Sequence, residues 1–419
     1  MKILGTMKIL AAATLTTLFG AAGQSAAAEP APLIIREQGS FAIGGTVQST
    51  PGTFVNNAPT AQGQSFHGDH LYAFYQVPVK PRPLPIVMLH GAYQSGRSWE
   101  TTPDGREGFQ TLFLRRGFST YVVDQPRRGR AGNSSVATTI EPTPNDQLFF
   151  DQFRLGAWPR FFPGVQFDQK PEALDQFFRS ITPNTGPYDA KVISSAMTAL
   201  LEKTGPAILF THSQGGEPGW LTAIRSANVK AVVAFEPGSG FVFPKGEAPA
   251  EMPSAAGTLK PVEISGGDFA KLTRIPIVIY YGDNIPIEPT TERGKDNWRV
   301  RLAMAKLWVA AVNRHGGDAR LVHLPDIGIR GNTHFMMSDL NNRQIADQVS
   351  QFLAEKHLDP SETPKDDPRH SPRQQTPVPR NLRACSHVRL DRSTLHERSF
   401  SGTHVQNLRL PEQSLYAGL

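Results

Sequence analysis

Cysteine is almost absent: the 419 residues contain one, Cys385, so no disulfide can form within the chain. A lone thiol also argues against a zinc–thiolate site and against a cysteine nucleophile. Long hydrophobic runs are missing beyond the first residues, and nothing later approaches the roughly 20 residues of a membrane span. Charge of one sign is thinly spread as well. The net charge is +6 but gathers into no basic helix or stripe, which speaks against nucleic-acid binding and for ordinary surface charge. Hydrophobic residues make up 39%, enough for a sizeable core held by burial alone, and 35 Pro with 37 Gly imply long, structured loops. The length suits two or three domains, or one larger unit of alternating strands and helices.

The first residues read as an export signal. Lys2 and Lys8 form the charged start and Ile9 to Ala22 the apolar stretch. Ala26-Ala27-Ala28 is a small-residue cleavage site before Glu29. The tetrapeptide MKIL begins at Met1 and again at Met7, which makes Met7 a second candidate initiator. The expectation is a signal at 1–28, a body at 29–357, and a secreted or periplasmic protein of bacterial type. From 358 to 419 the composition turns to Arg, Pro, Ser and His with no sustained period, which reads as a disordered tail.

Between these ends, apolar strand-like runs alternate with helical ones. Strands are expected at Phe41–Gln48, Leu71–Val79, Leu84–Gly91, Ser119–Gln125, Ala207–His212, Ala231–Glu236, Ile275–Asp283 and Leu321–Pro325. Helices are expected at Gly108–Arg116, Val192–Lys203, Asn297–Asn313 and Gln344–Lys356. That alternation predicts a mostly parallel sheet covered on both faces. One stretch breaks the pattern: residues 141–188 are long and aromatic, a candidate lid over an apolar pocket. Most of its phenylalanines should simply pack it onto the body, with Phe149, Phe150 and Phe153 the candidates for facing a substrate.

The most informative segment is Ala207-Ile-Leu-Phe-Thr-His-Ser-Gln-Gly-Gly216. A buried strand breaks at Ser213 into a glycine pair and then a helix, the context of a nucleophile elbow. The turn would lift the hydroxyl above the sheet edge and aim helix-start N–H groups at one point, where they can hold a developing oxyanion. Thr211 occupies a position where such turns prefer glycine.

A serine needs a base to take its proton, and the base needs a third group to orient it. His334, in the Gly-rich loop Gly328-Ile-Arg-Gly-Asn-Thr-His-Phe, can return over the sheet edge to Ser213. His90, His212 and His323 read as structural. For the acid, Ile285 fills the place after Tyr280-Tyr-Gly-Asp-Asn where a carboxylate is usual, and Asp283 stands early. One strand sooner, Glu236 closes a buried run before a proline turn and would need a partner there. Glu236 is therefore favoured over Asp283. The oxyanion donors should be the N–H groups of Gln214 and Ala92, with Tyr93 second to Ala92 and a candidate pocket residue.

Taken together, His90-Gly-Ala-Tyr, Trp99-Glu-Thr-Thr-Pro-Asp-Gly-Arg, Tyr121-Val-Val-Asp-Gln, His212-Ser-Gln-Gly-Gly, Phe235-Glu-Pro-Gly, Tyr281-Gly-Asp-Asn-Ile-Pro and Gly331-Asn-Thr-His resemble α/β-hydrolase esterases. The likeness is strongest to a group of secreted bacterial esterases whose acid is a Glu after the sixth strand, and it covers about Leu33 to His357. It implies the α/β-hydrolase fold, a Ser213–His334–Glu236 triad, and an oxyanion hole from the Ala92 and Gln214 amides. A small-molecule carboxylic ester is the implied substrate, with no metal and no organic cofactor. An amide or lactone hydrolase would use the same residues, and a non-catalytic member of the fold would be a binding protein.

Overall fold

The computed structural model describes residues 31–58 and 60–360. The export signal and all but the first residues of the tail lie outside them. Eight strands form the central sheet: β1 (Ile35–Ile43), β2 (Leu71–Pro78), β3 (Ile86–Leu89), β4 (Thr120–Asp124), β5 (Ala207–His212), β6 (Val229–Phe235), β7 (Pro276–Tyr281) and β8 (Asp318–His323). Their order across the sheet is β1-β2-β4-β3-β5-β6-β7-β8. The first two pairings, β1 with β2 and β2 with β4, are antiparallel, and all the rest are parallel. This is the α/β-hydrolase fold.

The inner parallel strands β3, β5, β6 and β7 are buried on both faces, which is why their sequences read as nearly unbroken apolar runs. The side-chain period of two still sorts residues between faces. On β5, Leu209 joins the cluster containing Trp220 and Trp308, while Ile208 and Phe210 join the one containing Trp99, Phe109 and Phe113. On β6, Val232 and Ala234 face the first cluster, and Val233 and Phe235 the second. The helices that cover these faces include α1 (Phe109–Arg115), α2 (Asp146–Gln152), α3 (Pro171–Arg179), α4 (Ala190–Thr204), α5 (Gly216–Arg225), α6 (Arg293–Arg314) and α7 (Asn342–Glu355). Helix α4 is capped by Asp189, whose carboxylate accepts the Lys191 and Val192 amides. No helix among the described residues is long and apolar enough to cross a membrane.

The expected strand Phe41–Gln48 is in fact two. Gly44 and Gly45 take φ of 71° and 85°, which ends β1 and lets Thr46–Ser49 pair with Ser65–Gly68 instead. The expected insertion is partly ordered: α2, a short hairpin at Gly156–Phe161 and α3 stand between β4 and α4.

Candidate active site

Strand β5 ends at His212, and the chain reverses at Ser213 with φ of 55°, a region that serine enters only under constraint. A single 3₁₀ turn, Ser213–Gly215, leads straight into α5. Glycine makes this close approach possible. A Cβ on Gly91 would fall 2.6 Å from Ser213 Cβ, and one on Gly215 would fall 2.5 Å from the His90 carbonyl oxygen. Thr211, the departure at the elbow, is accommodated by the following helix. A Cβ on Gly219 would lie 2.6 Å from Thr211 Cγ2, so Gly219 supplies the room that the elbow position does not.

Across the sheet edge, His334 Nδ1 donates to Glu236 Oε2 at 2.6 Å, with both side chains fully buried. Glu236 itself has φ of 46°, a strained position at the end of β6. Its other oxygen, Oε1, accepts the Gly282 amide at 2.7 Å and a charged bond from Arg154. Burial pushes the Glu236 carboxyl up, but the charge of Arg154 and the bond from His334 outweigh it, leaving the group below its usual value. The imidazole is held the opposite way: burial dominates, and Glu236 offsets only part of it, so His334 is lowered to about 4. At neutral pH His334 is therefore uncharged, with its proton on Nδ1 and an open lone pair on Nε2. That Nε2 has no hydrogen-bond partner among the described residues, Ser213 included.

The ring is clamped on several sides. Phe153 stacks on it at 5.0 Å with 13° between planes, and the Trp298 ring centre lies 4.1 Å away. The backbone is fixed too: His334 N–H donates to the Phe153 carbonyl, and His212 Nε2–H donates to the His334 carbonyl at 2.9 Å. Asp339 pins the preceding residues by accepting the Thr333 amide and hydroxyl and the Asn332 side chain.

The remaining candidates have other partners. Asp283 does not reach His334; its carboxylate accepts the Gly331 and Asn284 amides, each at 2.7 Å, and so ties down the histidine loop. His90 donates from Nδ1 to the Gly91 carbonyl and accepts the Gln125 amide. His323 bonds Asp326. Ala92 and Gln214 are both buried, and Tyr93 follows Ala92 with φ of 53°, turning the loop sharply after β3. Tyr93 and Phe149, ring centres 5.1 Å apart, line a groove of about 290 Å³ with Leu148 and Ile181. Phe150 turns elsewhere. Its ring packs on Trp158 and Phe161, inside the insertion.

The sequence profile of the alpha/beta hydrolase family matches residues 86–391. The chain belongs to that family. It is similar to the probable secreted lipase phiG of Fungal sp. (strain ATCC 74256), at 27% identity over 319 residues, covering 70% of this chain and 87% of the relative. The solved structure of a bacterial esterase superposes with a TM-score of 0.63 at 28% identity, covering 78% of this chain and 98% of that one.

In this alpha/beta hydrolase the insertion is part of the site's wall. Besides Phe153 on the imidazole, the Gln152 backbone carbonyl accepts the Trp298 indole N–H at 2.7 Å. Arg154 spans Glu236 and the Asp283 carbonyl. Sequence reasoning missed Arg154 and Trp298. An arginine after an aromatic run and a tryptophan inside an amphipathic helix carry no local sign of their partners.

Proposed function

We propose that the protein is a serine carboxylesterase, exported from the cell, that cleaves esters through Ser213, His334 and Glu236. The observation carrying this reading is the 2.6 Å bond from a neutral, buried His334 to an ionised Glu236, with Nε2 left open. As substrate enters, Nε2 takes the Ser213 proton while Oγ attacks the ester carbon. The oxyanion that forms is received by the Ala92 and Gln214 amides, a contribution typically worth about 10²–10³ in rate per donor. Glu236 stabilises the imidazolium without taking its proton. The imidazolium then protonates the departing alcohol, and water repeats the sequence on the acyl-enzyme. The names of the secreted lipase relative and the bacterial esterase support ester chemistry and export. Tyr93 and Phe149 would contact an apolar part of the substrate.

The decisive experiment incubates purified protein with a fluorophosphonate probe and maps the adduct by mass spectrometry. Labelling at Ser213, together with turnover of simple esters, is expected. No adduct would leave a binding protein as the better description.

The low value of His334 gives a second expected result. The base must be unprotonated, so kcat/KM should rise with pH through a limb near 4 and be level by about 6. An unperturbed imidazole would place that limb near 6.5. A pH series on a pH-stable ester, with folding followed by circular dichroism, separates the two outcomes.

A further inference from the structure

Two buried guanidinium groups beside the site have no carboxylate partner among the described residues. Arg128 spends Nη1 on the Gly91 carbonyl at 2.6 Å and thereby braces the turn that carries Ala92. Arg301 is different. Only 5% exposed, it extends from α6 and spends Nη1 on the carbonyl and side-chain oxygens of Asn297, one turn earlier. Its Nε has no hydrogen-bond partner among the described residues, while the guanidinium carbon lies 5.4 Å from the centre of the Trp298 ring. No carboxylate among the described residues pairs with it, and the nearby Tyr281 phenol, held well above its usual value by burial, is uncharged at neutral pH. Burial accordingly depresses Arg301 to about 10, yet it remains cationic at neutral pH. A buried cation with an unused donor is costly, and the Asn297 oxygens and the Trp298 ring face offset only part of that cost.

The position of the unused donor is informative. A Cβ built on Gly238 would stand 3.7 Å from Arg301 Nε and 3.7 Å from the Gln214 amide nitrogen. Those are ordinary contact distances, so the missing side chain at Gly238 leaves a gap of about one methyl group between the guanidinium and the Gln214 amide. The Gly238 amide also donates to the Ser213 carbonyl, which holds this strip of chain against the nucleophile. Guanidinium N–H groups match the geometry of a carboxylate, and a charge-assisted bond in a dry pocket is strong.

We propose that Arg301 is a substrate-recognition residue and that the preferred esters carry a carboxylate a few bonds from the scissile carbonyl. This rests on Ser213 being the nucleophile. One carboxylate oxygen would enter the gap over Gly238 and supply the counter-ion that Arg301 lacks, while the ester carbonyl points at Gln214. Neutral esters would bind without that partner and leave the Arg301 Nε–H unpaired.

The test compares kcat/KM for two matched pairs. Mono-4-nitrophenyl glutarate against 4-nitrophenyl pentanoate places the charge on the acyl side. 3-Acetoxypropanoate against propyl acetate places it on the alcohol side. Wild type should prefer the anionic member of at least one pair. In Arg301→Met that preference ratio should fall about 10- to 100-fold, the scale of a hydrogen bond to a charged group. Gly238→Ala adds a methyl at tolerated distances and should lower the same ratio by filling the space. No anionic preference in either pair, or an equal loss on anionic and neutral esters in both variants, would overturn the assignment. Fluorophosphonate labelling of wild type and its turnover of the neutral esters report separately on the Ser213 reading. That reading can therefore stand when this one fails.

Discussion

Ser213→Ala is expected to lower ester turnover by about 10⁶ while leaving the protein folded. The scale follows from serine hydrolases in which loss of the nucleophile alone costs nearly as much as loss of the whole triad. The geometry makes the substitution a clean one. Alanine keeps the Cβ, so it neither relieves nor adds to the strain at φ of 55°, and it keeps the amide of Gln214 in place. His334 Nε2 makes no bond to the hydroxyl in this state, so its removal leaves no new unsatisfied group. A melting temperature close to wild type is therefore expected alongside the lost activity. Turnover within tenfold of wild type in folded mutant protein would remove the serine mechanism.

The parts of this site that could be read from sequence are those fixed by local pattern. The apolar runs ending at His212, Phe235 and Tyr281 announce buried parallel strands, because nothing but a sheet covered on both faces hides them. Ser213 stands out because it breaks such a run just before a glycine pair, and His334 because it lies in a Gly-rich loop after the last strand. Glu236 is reached in two ways: Ile285 occupies the usual acidic place, and Glu236 closes a buried run where a carboxylate needs a partner. What could not be read depends on contacts across the chain. Arg154 meets Glu236 from 82 positions away, and nothing near it marks it as an ion-pair partner. Thr211 looked unsuited to the elbow because its accommodation comes from Gly219, on the next element. Arg301 sits in a helix whose charged residues would all pass for a solvent face until its burial is seen. The break at Gly44–Gly45 was present in the sequence, but an alternating pattern on either side concealed it.

The acid provides the sharpest remaining test. Glu236→Gln should reduce turnover by about 10⁴, the cost of the wrong histidine tautomer in the comparable Asp-to-Asn case. The hydrogen bonds around the carboxylate say why the amide would adopt the harmful orientation. Oε1 is surrounded by donors, the Gly282 amide and the Arg154 guanidinium. A glutamine must turn its oxygen toward them, because its NH₂ group there would face two donors with nothing to accept. Its NH₂ then faces His334 Nδ1, which has to accept rather than donate. The imidazole proton moves to Nε2, and the lone pair that would deprotonate Ser213 is lost. Asp283→Asn should act differently. Its carboxylate bonds only backbone amides of the histidine loop and its own neighbour, so the expected cost is about 1–3 kcal/mol of stability. Turnover of the folded variant should fall far less than for Glu236→Gln. The kinetics of both variants, measured below their melting temperatures, decide the assignment. Were Asp283→Asn the more damaging to kcat, the bond between Glu236 and His334 would be structural and the acid would have to be sought in the loop that Asp283 holds.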